Sequence, residues 1–92
     1  MARVLMYCTA TCPYCRSADR LLERKDVQDV ERVRVDLEPA RRAEMMQKSG
    51  RRTVPQIWIG GRHVGGCDDL YALDEADELD QLLGAAASAP VT

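Results

Sequence analysis

The sequence has no excess of positive charge. In its 92 residues, 13 Lys and Arg stand against 15 Asp and Glu, for a formal net charge of -2. Nucleic-acid and anionic-membrane partners usually require a basic face, so neither is expected. No apolar run approaches the roughly 20 residues needed to cross a bilayer. The opening "MARVLMYCTA" lacks the apolar h-region of a secretory leader and reads as a strand, so the cytoplasm is the expected compartment. Structural disulfides are rare there. The chain also lacks an internal repeat, a linker and a second CxxC pair. One small domain is expected over residues 1–84, with a flexible tail over 85–92.

Against these absences, four cysteines call for an explanation. Cys8, Cys12 and Cys15 cluster near the start, and Cys67 stands far away. A secreted disulfide scaffold would be denser in cysteine and richer in loops. A zinc site normally takes four ligands, often from two paired motifs. Beyond Cys12 and Cys15 the candidates are Cys8, Cys67 and His63, an incomplete set, so no metal site is expected.

Hydrophobic periodicity gives an α/β chain in the order β-α-β-α-β-β-α. "RVLMY" (Arg3 to Tyr7) is a short apolar strand. Pro13 suits the first helical position, and Ala18, Leu21 and Leu22 follow at helical spacing to about Arg24. "ERVRVDL" (Glu31 to Leu37) alternates Val33, Val35 and Leu37 with charged residues, which predicts a strand with one buried face. Pro39 and Gly50 bracket a short helix with Ala43, Met46 and Met45 facing inward. "PQIWIGGRHV" reads as a hairpin turning at Gly60-Gly61. A terminal helix carries Leu70, Leu73, Leu79, Leu82 and Leu83, with a break near Asp74. The first βαβ unit is expected to be parallel with a right-handed crossover, the hairpin antiparallel, and helices on both sheet faces. Trp58 and Tyr71 are expected in the core and His63 on a surface strand. Cys8 and Cys67 are expected to pack as small hydrophobes.

The pair "CPYC" sits where a helix begins. Residues i and i+3 share a helix face, so Cys12 and Cys15 can form a disulfide with little backbone motion. So small a ring adds little stability, which favours a redox couple over a staple. Cys12 falls at the N-cap, beside unpaired N–H groups and the positive end of the helix dipole. Both favour a thiolate. Cys15 lies one turn in, nearer the sheet. Cys12 is thus the expected nucleophile and Cys15 the resolving thiol. Arg16 adds a nearby positive charge, although the dipole disfavours a cation there.

"CPYC", "TVPQIWIGG" and "GGCDDLYALD", in that order, resemble a dithiol glutaredoxin, most closely the bacterial glutaredoxin 3 type, over roughly Arg3 to Leu83. The resemblance implies a thioredoxin fold with a four-stranded mixed sheet flanked by helices. It implies a glutathione-disulfide oxidoreductase, with glutathione as co-substrate and no permanently bound cofactor. It also implies a cis peptide before Pro55, with the Val54 backbone offered to the cysteine of glutathione. The γ-glutamyl carboxylate would meet the Cys67 and Asp68 backbone, and Asp68 or Asp69 its ammonium. The implied glutathione site is Tyr14, Arg52, Thr53, Val54, Pro55, Gly66, Cys67, Asp68 and Asp69. Many glutaredoxins carry a lysine three residues before the first cysteine. Here Thr9 stands there, and Arg52 or Arg51 is the expected substitute. Expected partners are disulfide-bonded or glutathionylated proteins, ribonucleotide reductase among them, for a monomeric enzyme. Two alternatives stay open: an iron–sulfur cluster-binding glutaredoxin, and a redoxin reduced by thioredoxin reductase.

Overall fold

The computed structural model describes residues 3–85, so most of the expected tail, residues 86–92, lies outside the described residues. Eight elements follow in order: β1 (Val4–Cys8), α1 (Pro13–Arg24), β2 (Val30–Arg34), α2 (Pro39–Ser49), β3 (Gln56–Ile59), β4 (Arg62–Gly65), α3 (Cys67–Glu75) and α4 (Leu79–Ala85). The sheet order is β2-β1-β3-β4. β1 and β2 run parallel, while β1–β3 and β3–β4 are antiparallel. This is the expected four-stranded mixed sheet flanked by helices.

Strand alternation sends side chains to two cores. Val4, Met6 and Cys8 of β1 join Ile57 and Ile59 of β3 on one face. There they meet Cys15, Ala18, Leu21 and Leu22 of α1, Leu70 of α3, and Leu79 and Leu83 of α4. The other face holds Tyr7, Val33, Val35 and Trp58 against Met45 of α2. The terminal helix is two helices, α3 and α4, parted near the expected break. Asp77 takes a left-handed φ of 60° between them. Lys25 clamps the junction, with Nζ 2.7 Å from Asp74 and 3.2 Å from Asp80.

The inward face of α2 differs from the expected one. Met45 is fully buried, whereas Ala43 and Met46 are exposed. The face toward the sheet is Arg41, Glu44, Met45 and Lys48, at i, i+3, i+4 and i+7. Tyr7 dictates this choice. Its ring is buried and its hydroxyl must find a partner. It hydrogen-bonds to Glu44 and receives one from Lys48 Nζ at 3.3 Å. The Lys48 ammonium also sits 4.6 Å over the Trp58 ring. Polar groups thus line part of the core-facing stripe, so apolar periodicity misplaces it.

β2 is also shorter than expected, ending at Arg34. Val35 stays buried, its N–H donating to the Cys8 carbonyl at 3.0 Å. Leu37 and Glu38 N–H groups then fold back on the Arg34 carbonyl, which leaves Leu37 exposed. Tyr71 is only half-buried, with its hydroxyl donating to the Ser17 carbonyl at 3.0 Å. His63 is half-buried rather than on the surface, tilted against Trp58 with ring centroids 4.5 Å apart.

Two outcomes test this packing. Met45→Ala should cost about 2–4 kcal/mol in urea denaturation, and Met46→Ala less than about 1 kcal/mol. The reverse order would refute the α2 orientation. Asp36 accepts both forks of Arg34 at 2.7 Å and the Ala10 N–H, which hold its carboxyl down at about 2. The depressed carboxyl contributes stability in full above the unfolded value of about 3.9, and loses it as pH falls toward the folded value. Asp36→Asn should therefore flatten the loss of stability between about pH 4 and pH 2. Urea melts across a pH series would show it, and an unchanged acid limb would count against the Arg34 pair.

Candidate active site

Cys12 occupies the N-cap of α1 with extended φ and ψ of -84° and 115°. Its carbonyl receives the Arg16 N–H at 3.3 Å, and Pro13 opens the helix. The N–H groups of the first turn have no partner inside the helix, so Cys12 sits at their positive end. No acidic residue lies in that turn to offset them. Cys12 is half-buried, and its thiol lies 3.6 Å from the Val54 carbonyl oxygen.

Cys15 is buried beneath it. Burial, foremost, pushes the Cys15 thiol up to about 12. A hydrogen bond to Cys12 and the nearby Cys12 and Cys8 sulfurs add to the rise, while the Thr9 backbone N–H opposes it. Cys15 thus keeps its proton at neutral pH. All four cysteines are free thiols, as the reduced state requires. Cys8 and Cys67 are both buried, and burial is the main cause that raises each thiol.

The second wall is the segment before β3. The Val54–Pro55 peptide is cis, the isomer the family resemblance implies. Gln56 holds this segment. Fully buried, it donates from Nε2 to the Thr53 carbonyl at 3.1 Å, and its Oε1 lies 2.9 Å from His63 Nε2. Burial lowers the His63 pKa, so the neutral ring is favoured and its N–H can donate to Gln56. Sequence reasoning passed over Gln56. A polar side chain one residue after the proline, on the inward side of a strand, is the signal that could have found it.

The third wall is the start of α3. Gly65 has φ 121°, and a Cβ there would collide with the Asp69 carboxylate. The Gly66 N–H donates to Asp69 Oδ2 at 2.8 Å, an N-terminal cap on the helix. The same oxygen takes Arg51 Nη1 at 3.0 Å. These two contacts, the Gly66 N–H first, hold the Asp69 carboxyl below its usual range.

The three walls enclose a cavity of about 260 Å³ lined by Tyr14, Arg51, Thr53, Val54, Pro55, Gly66, Cys67, Asp68 and Asp69. Every residue of the expected glutathione site lines it except Arg52, which is exposed beside it. Arg51 takes the wall position instead. Asp69 is committed to its cap and to Arg51, whereas Asp68 is exposed at the rim. Chemically, the arrangement offers a thiol at a helix N-terminus, a second, protonated thiol hydrogen-bonded to it, a backbone carbonyl beside the first thiol and a cavity for a small ligand.

A family model described as Glutaredoxin matches residues 4–64. A glutaredoxin of Pseudomonas aeruginosa is 55% identical over 85 residues, covering 92% of this chain and 100% of that protein. Glutaredoxin 3 of Escherichia coli K12 is 53% identical over 83 residues, covering 90% of this chain and 99% of that one. Among solved structures, a glutaredoxin of Brucella melitensis is 49% identical with a TM-score of 0.79, covering 90% of this chain and 89% of that one. A buckwheat glutaredoxin–glutathione complex is 27% identical with a TM-score of 0.85, covering 92% and 79%. With the CPYC helix start, the cis-proline segment and the capped glycine turn on one thioredoxin fold, the chain belongs to the glutaredoxin family.

Proposed function

We propose that the chain is a glutathione-dependent thiol–disulfide oxidoreductase that reduces protein disulfides and glutathione mixed disulfides. It acts as a cytoplasmic monomer on disulfide-bonded or glutathionylated proteins, with ribonucleotide reductase as one candidate. One observation carries the reading: the Cys12 thiol lies 3.6 Å from the Val54 carbonyl, beside a cavity with a helix N-terminus in its far wall. The buckwheat relative, solved with glutathione, supports taking that cavity as the glutathione subsite. The cysteinyl backbone of glutathione pairs with Val54. Its γ-glutamyl carboxylate meets the open N–H groups of Cys67 and Asp68. Asp68, free of the cap that occupies Asp69, faces the ammonium.

The chemistry divides between the thiols. With a glutathione mixed disulfide, the Cys12 thiolate attacks the glutathione sulfur and expels the other sulfur as a thiolate. A second glutathione thiolate then attacks the glutathione sulfur bonded to Cys12, giving oxidised glutathione and releasing the Cys12 thiolate. With a protein disulfide, Cys12 forms a mixed disulfide with one substrate sulfur and releases the other. Cys15 attacks Cys12, releases the second substrate thiol and leaves the Cys12–Cys15 disulfide. Two glutathiones reduce it. Part of what holds the Cys15 proton is Cys12 itself. Once Cys12 is bonded to substrate, its hydrogen bond and charge are gone, and Cys15 ionises more readily. Cys15 is thus held protonated until a Cys12 mixed disulfide exists for it to attack.

Cys12→Ser should lower turnover of both substrate types at least about a hundredfold. Cys15→Ser should retain glutathione mixed-disulfide turnover and lose protein-disulfide reduction. Assays coupled to glutathione reductase and NADPH read both, and an active Cys12→Ser protein would sink the mechanism. Replacing glutathione and its reductase by thioredoxin reductase should leave the wild type idle. Asp68→Asn should raise the KM for glutathione about twofold to fivefold with kcat nearly unchanged, the measure of one exposed charge pair. An unaltered KM would remove Asp68 from the subsite.

A further inference from the structure

Helix α1 carries Arg16, Arg20 and Arg24 four residues apart, starting one turn beyond Cys12. All three are exposed. Among the described residues, carboxylates pair with Arg3, Arg32, Arg34, Arg41 and Arg51, but with none of these three. Arg20 reaches only the Ser17 hydroxyl, at 3.2 Å. Glu23 is the one acidic side chain beside them in the groove, so the stripe keeps a positive excess on a chain whose formal charge is -2.

The stripe also borders a groove. A cavity of about 590 Å³ lies between α1 and α3, lined by Arg20, Glu23, Arg24 and Tyr71. Tyr71 stands one turn beyond Cys67, which lines the glutathione cavity, and the Arg20 charge is felt at the Cys67 thiol. The two cavities therefore follow each other along the same pair of helices. At about 1.5 Å per residue, Cys12 to Arg24 spans roughly 18 Å. An extended peptide of five or six residues, at about 3.3 Å each, covers that length.

We propose that the α1–α3 groove docks an acidic segment flanking the disulfide of a protein substrate, with Arg20 and Arg24 reading its carboxylates. The inference rests on the oxidoreductase reading and supplies the substrate class it leaves open. A protein segment is favoured over a nucleic acid or a membrane for two reasons. The formal charge of -2 stands against the basic excess that nucleic acid or an anionic membrane calls for, and the stripe starts one turn beyond the thiol that must meet the disulfide. Docking here places acidic residues along the groove while the substrate sulfur reaches Cys12. Exposed charge pairs of this kind act chiefly on encounter, so kcat/KM responds and salt suppresses the effect.

The test uses two synthetic peptides with the same internal disulfide, one flanked by four glutamates and the other by four lysines. Turnover is followed with glutathione, glutathione reductase and NADPH. A small mixed disulfide of glutathione and mercaptoethanol serves as the third substrate. Wild type should favour the acidic peptide in kcat/KM by about fivefold to tenfold at low salt, and the preference should shrink between about 20 and 300 mM salt. Arg20→Glu/Arg24→Glu should abolish or invert the preference while turning over the small mixed disulfide at the wild-type rate. Arg20→Gln/Arg24→Gln should do the same more weakly, and guards against misfolding of the charge-reversed protein. Equal turnover of the two peptides by wild type, or an unaltered ratio in both variants, would overturn the docking surface alone. Failure of wild type on the small mixed disulfide would overturn the oxidoreductase reading beneath it.

Discussion

Antiparallel pairing of β1 with β3 is the constraint on which the site depends. Tyr7 pairs with Gln56 and Val4 with Ile59, so the end of β1 and the start of β3 meet at one end of the sheet. The loop leaving β1 carries Cys12, and the segment entering β3 carries Val54. β4 returns antiparallel to β3, with Gly65 opposite Ile57, so α3 starts at that same end. Three segments far apart in sequence are thereby fixed side by side. The buried rows Val4–Met6–Cys8 and Ile57–Ile59 hold the register, because a slip of one residue would exchange them with Tyr7 and Trp58 between the two differently shaped cores. The polar supports act after this placement: Gln56 on Thr53, Asp36 on Ala10 and Asp69 on Gly66.

Most of this architecture was legible in the sequence where structure follows from local rules. Helix α1 runs Pro13–Arg24 as its proline and leucine spacing imply, and the Gly60-Gly61 turn closes the β3–β4 hairpin. The rest depended on contacts made across the fold. The face of α2 follows from the need of Tyr7 for polar partners, which periodicity within α2 cannot reveal. The exposure of Leu37 follows from two N–H groups closing on Arg34, although an alternating pattern made it a strand residue. His63 is drawn in by Trp58 and Gln56, neither of which looks distinctive alone. Arg51 and Arg52 are adjacent and alike in sequence. Only the direction of the chain after Ser49, with the Ser49 hydroxyl accepting the Arg51 N–H at 3.0 Å, separates the wall residue from its neighbour.

The contrast between Cys12 and Cys15 needs no unusual chemistry. Both belong to one turn of one helix. The first sits where helix N–H groups are unpaired, and the second where the chain has entered the core. A helix end stabilises negative charge, and an apolar core penalises it. The same three-residue spacing that allows a disulfide therefore also separates the roles. In the proposed mechanism the attacking sulfur is the one at the helix start that meets solvent, and the resolving sulfur is the buried one that keeps its proton. Pro13 contributes by opening the helix without an N–H of its own.

Thr9 alters the charge balance around this site. The side chain has no charge to offer, and the residue instead gives its backbone N–H to the Cys15 sulfur. The cation nearest the cavity is then Arg51, but its guanidinium is matched by Asp69 through an oxygen that already caps α3. That wall is close to neutral, and the uncompensated charge lies with Asp68 at the rim. A ligand carboxylate that draws Arg51 away does not leave Asp69 stranded, since the Gly66 N–H remains. Both partners are about half exposed, with side-chain accessibilities of 49% and 44%. Exchange of one such pair for another costs less than about 1 kcal/mol. The cap keeps α3 in place while the arginine moves, so ligand binding and helix stability do not compete for the same contact. Arg51 is therefore able to turn from Asp69 toward a ligand carboxylate, although Thr9 brings no charge of its own.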